Sequence, residues 1–121
     1  MQQLTKKAAR GFRGHPLATV AWYGPTDRLA TKVAVGIIPA EGAAVRDMQR
    51  WVVERGDIRS DRAVEMEIVQ MLAQCQVRTV VMAPRILGCP HEEGVDYPEG
   101  AVCPSCPFWA GRDRWAGLDG G

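Results

Sequence analysis

Residues 16–39 read PLATVAWYGPTDRLATKVAVGIIP, and this stretch decides the fold. Two runs rich in β-branched and aromatic residues flank Gly24-Pro25-Thr26-Asp27. Pro25 presets φ for a turn and Asp27 can hydrogen-bond its own backbone, so the stretch predicts a β-hairpin. Alternate side chains of a strand share a face. Ala18, Val20 and Trp22 therefore point one way on the first strand. Leu29, Thr31, Val33, Val35 and Ile37 form the corresponding face of the second.

Toward the C-terminus, Pro39 and Gly42 close the hairpin and a helical period takes over. Ala44, Val45, Met48, Trp51 and Val52 fall at the i, i+3, i+4, i+7, i+8 spacing of an apolar stripe, and Gly56 stands where a helix end is expected. Ser60 can cap a second helix, with Asp61 in its first turn, where a carboxylate meets the positive end of the helix dipole. Val64, Ile68, Met71, Leu72 and Cys75 give that helix a buried side, leaving Glu65 and Glu67 to solvent. Residues 77–83, VRTVVMA, form a Val-rich run suited to a strand buried within a sheet, stopped by Pro84. The order is strand, strand, helix, helix, strand. This predicts an α+β fold, ββααβ, with helices on one face, followed by a C-terminal zinc-binding loop.

Toward the N-terminus, residues 1–14 lack a clear apolar period and contain Gly11 and Gly14. They read as a flexible basic arm, with room for a short helix over residues 4–10. Residues 15–115 then form a single α+β domain that includes a zinc loop at 88–109, and the Gly-rich 116–121 is a disordered tail. The net charge of +1 conceals a gradient. Residues 1–38 carry six bases against one acid, residues 39–88 balance, and residues 89–121 carry six acids against two bases. That polarity can steer an anionic partner toward the N-terminal end, or fold a basic arm over an acidic tail. No apolar run approaches the ~20 residues needed to cross a bilayer, so no membrane partner is expected. No secretory leader is recognisable, which points to the cytoplasm, where clustered cysteines bind metal more often than they form disulfides.

Residues 88–115, GCPHEEGVDYPEGAVCPSCPFWAGRDRW, hold three of the four cysteines, one of two histidines and two of four tryptophans. Cys89, His91, Cys103 and Cys106 form C-x-H-x11-C-x2-C, two ligand pairs separated by a loop. Three thiolates and an imidazole suit a closed tetrahedral zinc site, with iron as the second choice of ion. The intervening EEGVDYPEGAV is rich in turn formers and poor in packing residues, so a metal is needed to hold it. Cys75 belongs to a helix's apolar face rather than to the ligand set.

Other chemistries compete for these residues. Cys103 and Cys106 have the C-x-x-C form of thiol–disulfide exchange, but they follow a loop instead of opening a helix after a strand. The order His91-Glu92-Glu93 followed by Cys103-Pro-Ser-Cys106 imitates zinc deaminases, in which a glutamate shuttles protons beside the metal. The interval is too short for the helix and strand that separate those halves, and Cys89 would close the open coordination position. Trp109, Arg112, Arg114 and Trp115 interleave aromatics with arginines just after the cluster, a pattern that stacks on unpaired bases and bonds phosphates. Alternatively Phe108 and Trp109 tuck beneath the loop. The sequence is therefore read as a small zinc-binding protein whose structural metal supports a protein- or nucleic-acid-interaction surface. A homodimer is a further way to cover the tryptophan-rich surface. The runner-up is a zinc-dependent hydrolase using Glu92 or Glu93.

Overall fold

A computed structural model describes residues 1–92, 95–101 and 103–110. Glu93, Arg112, Arg114, Trp115 and the tail expected at 116–121 lie outside the described residues. The fold is mixed α+β: a four-stranded sheet in the order β3-β2-β1-β4, with helices against one face.

The hairpin forms as its residues dictate. β1 (Leu17–Tyr23) and β2 (Lys32–Ile38) pair antiparallel, with Val20 opposite Val35 and Trp22 opposite Val33. Ala18, Val20, Trp22, Val33, Val35 and Ile37 are all buried on one face, as the alternation requires. Leu29 and Thr31 fall before β2 in the turn region, where Leu29 is exposed. Gly24 begins that turn. A Cβ there would stand 1.7 Å from the Leu29 carbonyl oxygen, so only glycine lets the chain double back this closely.

The helix expected from residue 44 onward is instead a strand, β3 (Arg46–Val52), antiparallel to β2. Its apolar residues do recur at helical spacing, but pairing separates them. Trp51 lies opposite Val33 toward the core, while Val45 and Met48 cover Gly36 on the opposite face of the sheet. An irregularity between Val35 and Ile37, and a left-handed φ of 53° at Asp47, mark where the strand bends out of phase. Ladder hydrogen bonds to β2 outweigh a local helical preference that no Ser, Thr, Asp or Asn N-cap supports.

Asp57 caps a short 3-10 turn at Ile58–Ser60, and Asp61, not Ser60, caps α2 (Arg62–Gln74), accepting a 3.0 Å bond from Val64 N–H. Val64, Ile68, Met71 and Leu72 bury the expected face, with Cys75 half-buried at its end. Glu65 departs from the solvent-facing expectation: only 8% exposed, it accepts a 3.1 Å bond from Gln3 N–H and lies 3.6 Å from the Met1 amine. Those contacts come from α1 (Gln2–Ala9), within the segment read as a flexible arm. Leu4 of α1 is fully buried in the main core, so the structure docks this segment on the domain.

The strand expected at 77–83 inside the sheet is β4 (Thr79–Gly88), which starts two residues later, continues through Pro84 and leaves Val81 exposed. It pairs with β1 alone, in parallel, and so forms an edge. At an edge a proline's missing N–H need not break a ladder. The register records the accommodation: Val20 lies opposite Met82 but Trp22 lies opposite Ile86, so β4 spends two extra residues around Pro84. Beyond that bulge Ile86 and Leu87 are buried, and the strand delivers Cys89 at its end.

Candidate metal centre

Cys89 follows directly on β4, whose last residue, Gly88, accepts a 2.9 Å bond from Gly24 N–H. The first ligand is therefore fixed to the end of the hairpin. His91 follows two residues later, its own N–H 3.3 Å from the Cys89 sulfur. The chain then turns, with Glu92 N–H bonded to the Asp96 carboxylate at 2.7 Å, and returns through Tyr97 to Cys103 and Cys106.

The four residues singled out from spacing converge. The ligand atoms of Cys89, His91, Cys103 and Cys106 all lie within 4.8 Å of one another, and together they could hold a metal ion. His91 presents Nδ1, which is 3.9 Å from the Cys89 sulfur, 3.4 Å from Cys103 and 3.5 Å from Cys106. A tetrahedron with metal–sulfur bonds of about 2.3 Å and a metal–nitrogen bond of about 2.0–2.1 Å has S···N edges of about 3.6 Å. The donor set therefore fits a four-coordinate ion in chemistry and in size. Cys75, on α2, stands apart from the group.

Electrostatics point the same way. Burial, then the neighbouring Cys89 and Cys103, push the Cys106 thiol up to about 12. Burial also pushes the Cys89 thiol up. Burial makes the Cys89 and Cys106 thiols resist ionising, and a cation at the centre reverses that cost because the thiolate is the ligand.

The surroundings anchor the loop to the sheet. Lys32 of β2, 8% exposed, donates from Nζ to Pro90 O at 2.9 Å and to Glu92 Oε1 at 3.1 Å, on either side of His91. Arg50 of β3 pairs with the same Glu92 oxygen. The Lys32 bond, followed by the nearby cationic charges, holds the Glu92 carboxyl below its usual range. Glu92 is thus committed to two cations. Trp109 ends a short 3-10 turn at Pro107–Trp109, sits edge-on to Phe108 at 5.0 Å, and donates from Nε1 to Gly24 O at 2.7 Å. It touches both the main core and the cysteine cluster. Trp109 therefore takes the tucked-in arrangement considered for it, with Phe108 against its ring.

Sequence reasoning missed Lys32 and Arg50 as supports of the centre. Each is an ordinary strand residue in sequence, and the signal would have been a lysine inside an apolar alternation. No helix among the described residues is long and apolar enough to cross a membrane. Comparison with protein-family models, with curated proteins and with solved structures finds no match to this chain.

Proposed function

We propose that this chain is a zinc-binding protein in which the metal is structural, holding the C-terminal segment against the sheet as an interaction surface. One observation carries the reading. The second apolar cluster of the molecule consists of Cys89, Tyr97, Cys103 and Cys106, so three of its four members are the candidate ligands themselves. A segment whose core is its ligand set has little else to fold around, and structural zinc contributes about 10–16 kcal/mol in small domains of this kind. Three sulfurs and one nitrogen are a common closed zinc set, and iron is the second choice of ion.

A hydrolytic centre would need an open coordination position and a free carboxylate. Four donors from the chain itself, with Glu92 held by Lys32 and Arg50, support a closed site instead. The partner is a protein or a single-stranded nucleic acid, met by Arg112, Arg114 and Trp115 beyond the last ligand, while Trp109, its indole bonded to Gly24, anchors that segment to the sheet.

Metal analysis of the purified protein, alongside a Cys106→Ser variant, tests the structural reading. One zinc per chain is expected. The variant should lose the ion together with hydrogen-exchange protection of residues 89–110, while the sheet remains folded. A Cys106→Ser protein that keeps that protection would sink the structural role.

A further inference from the structure

Away from the metal centre, the C-terminal ends of α1 and α2 meet β4 around a groove of about 350 Å³. Its floor is apolar: Leu72 and Val80 are buried, and Val69 and Val77 are half-buried. Its rim is basic, with Lys7 on α1, Arg10 at the α1 C-cap and Arg78 just before β4. Among the described residues no acidic one lines it. Among the described residues none of these three cations has an ion-pair partner. The Arg78 guanidinium lies beside Gly14, where an added Cβ would come within 3.6 Å of it, although the residue as a whole is exposed.

An ordinary explanation exists for Lys7 and Arg10, since cations favour a helix C-terminus. Its magnitude is too small. Each helix end contributes about half a negative charge, so two ends offset about one of three positive charges. The groove keeps a surplus of about two, over a floor that would gain from covering. Its volume falls within the about 300–1,000 Å³ of small-molecule sites.

We propose that this groove binds a phosphate monoester carrying an apolar group. The phosphate takes Arg10, Arg78 and Lys7, because a dianion matches the surplus charge and guanidinium groups suit bidentate contact with phosphate oxygens. The apolar group lies over Val69, Leu72 and Val77. The groove shares no residue with the metal centre, so the site stands whether or not the zinc reading does.

Calorimetric titration of the full chain with hexyl phosphate, hexanol and inorganic phosphate tests it, with an Arg10→Gln/Arg78→Gln variant in parallel. Both arginines are exposed, so the variant should melt like the parent. Hexyl phosphate should bind at least tenfold tighter than either fragment, weaken as salt rises, and lose at least tenfold in the variant. The proposal is overturned if hexyl phosphate fails to bind, if the variant binds it equally, or if hexanol binds as well. Binding of a single-stranded oligonucleotide without hexyl phosphate binding would also overturn it and assign the groove to a polymer.

Discussion

Asp57 shows how much one side chain can settle. Its carboxylate accepts from Arg59 N–H at 2.9 Å and Ala30 N–H at 3.2 Å, and grips the Arg59 guanidinium at 2.6 Å. It therefore joins the hairpin turn to the start of α2. The Arg59 hydrogen bond is the main reason its pKa falls from 3.8 to about 2. A carboxyl depressed on folding stabilises the protein above its unfolded pKa, and that stability is lost as pH falls through the folded value. The shift would be worth about 2.5 kcal/mol unscreened. Arg59 is 39% exposed. Solvent at that partner brings the expectation to about 1 kcal/mol. Asp57→Asn should lower stability at pH 7 by about 1 kcal/mol, because asparagine keeps an acceptor for the cap but loses the charge facing Arg59. Urea melts should show the parent and variant curves converging between about pH 4 and pH 2. A constant difference across that window would remove the ion pair from the account. The bond to Ala30 was not legible in the sequence, because 27 residues separate the two.

At the scale of elements, α1 and β3 are where local reading and structure part. The eight residues of α1 are too few to persist alone in water, which is why they read as part of an arm. What holds them is Leu4 at zero exposure, together with the Glu65 contacts from α2. Leu4→Ala should cost about 2–4 kcal/mol, measured by chemical denaturation, and should raise amide exchange throughout α1. A cost below about 0.5 kcal/mol, the usual range for a surface site, would mean that α1 is not docked. β3 fails as a helix for the complementary reason. Its spacing of Val45, Met48 and Trp51 suits a helix, yet β2 offers a whole backbone edge, and a bulge lets those residues serve opposite faces.

At the scale of the molecule, the described residues form two apolar clusters bridged by Trp109. The larger lies between sheet and helices, and the smaller is the candidate metal centre. Because Cys89 and Cys106 are both raised, they are protonated at neutral pH without an ion, and loading must release those protons. Metal affinity should therefore fall as pH falls. Calorimetry at pH 7 in buffers of different ionisation enthalpy should show about two or more protons released per ion. Release of fewer than one would mean that the thiols are not the ligands. By itself the sequence determined the hairpin, the position of α2 and the four donors, because each rests on neighbours within a few residues: turn formers, caps, alternation and close ligand pairs. Only the tertiary structure decided that residues 46–52 extend the sheet, that β4 runs past Pro84, that α1 is docked, and that Lys32 and Arg50 grip the loop of the candidate metal centre. Each of those depends on partners nine or more residues away. The energy of such contacts lies in burial and ladder hydrogen bonds that local propensity does not contain.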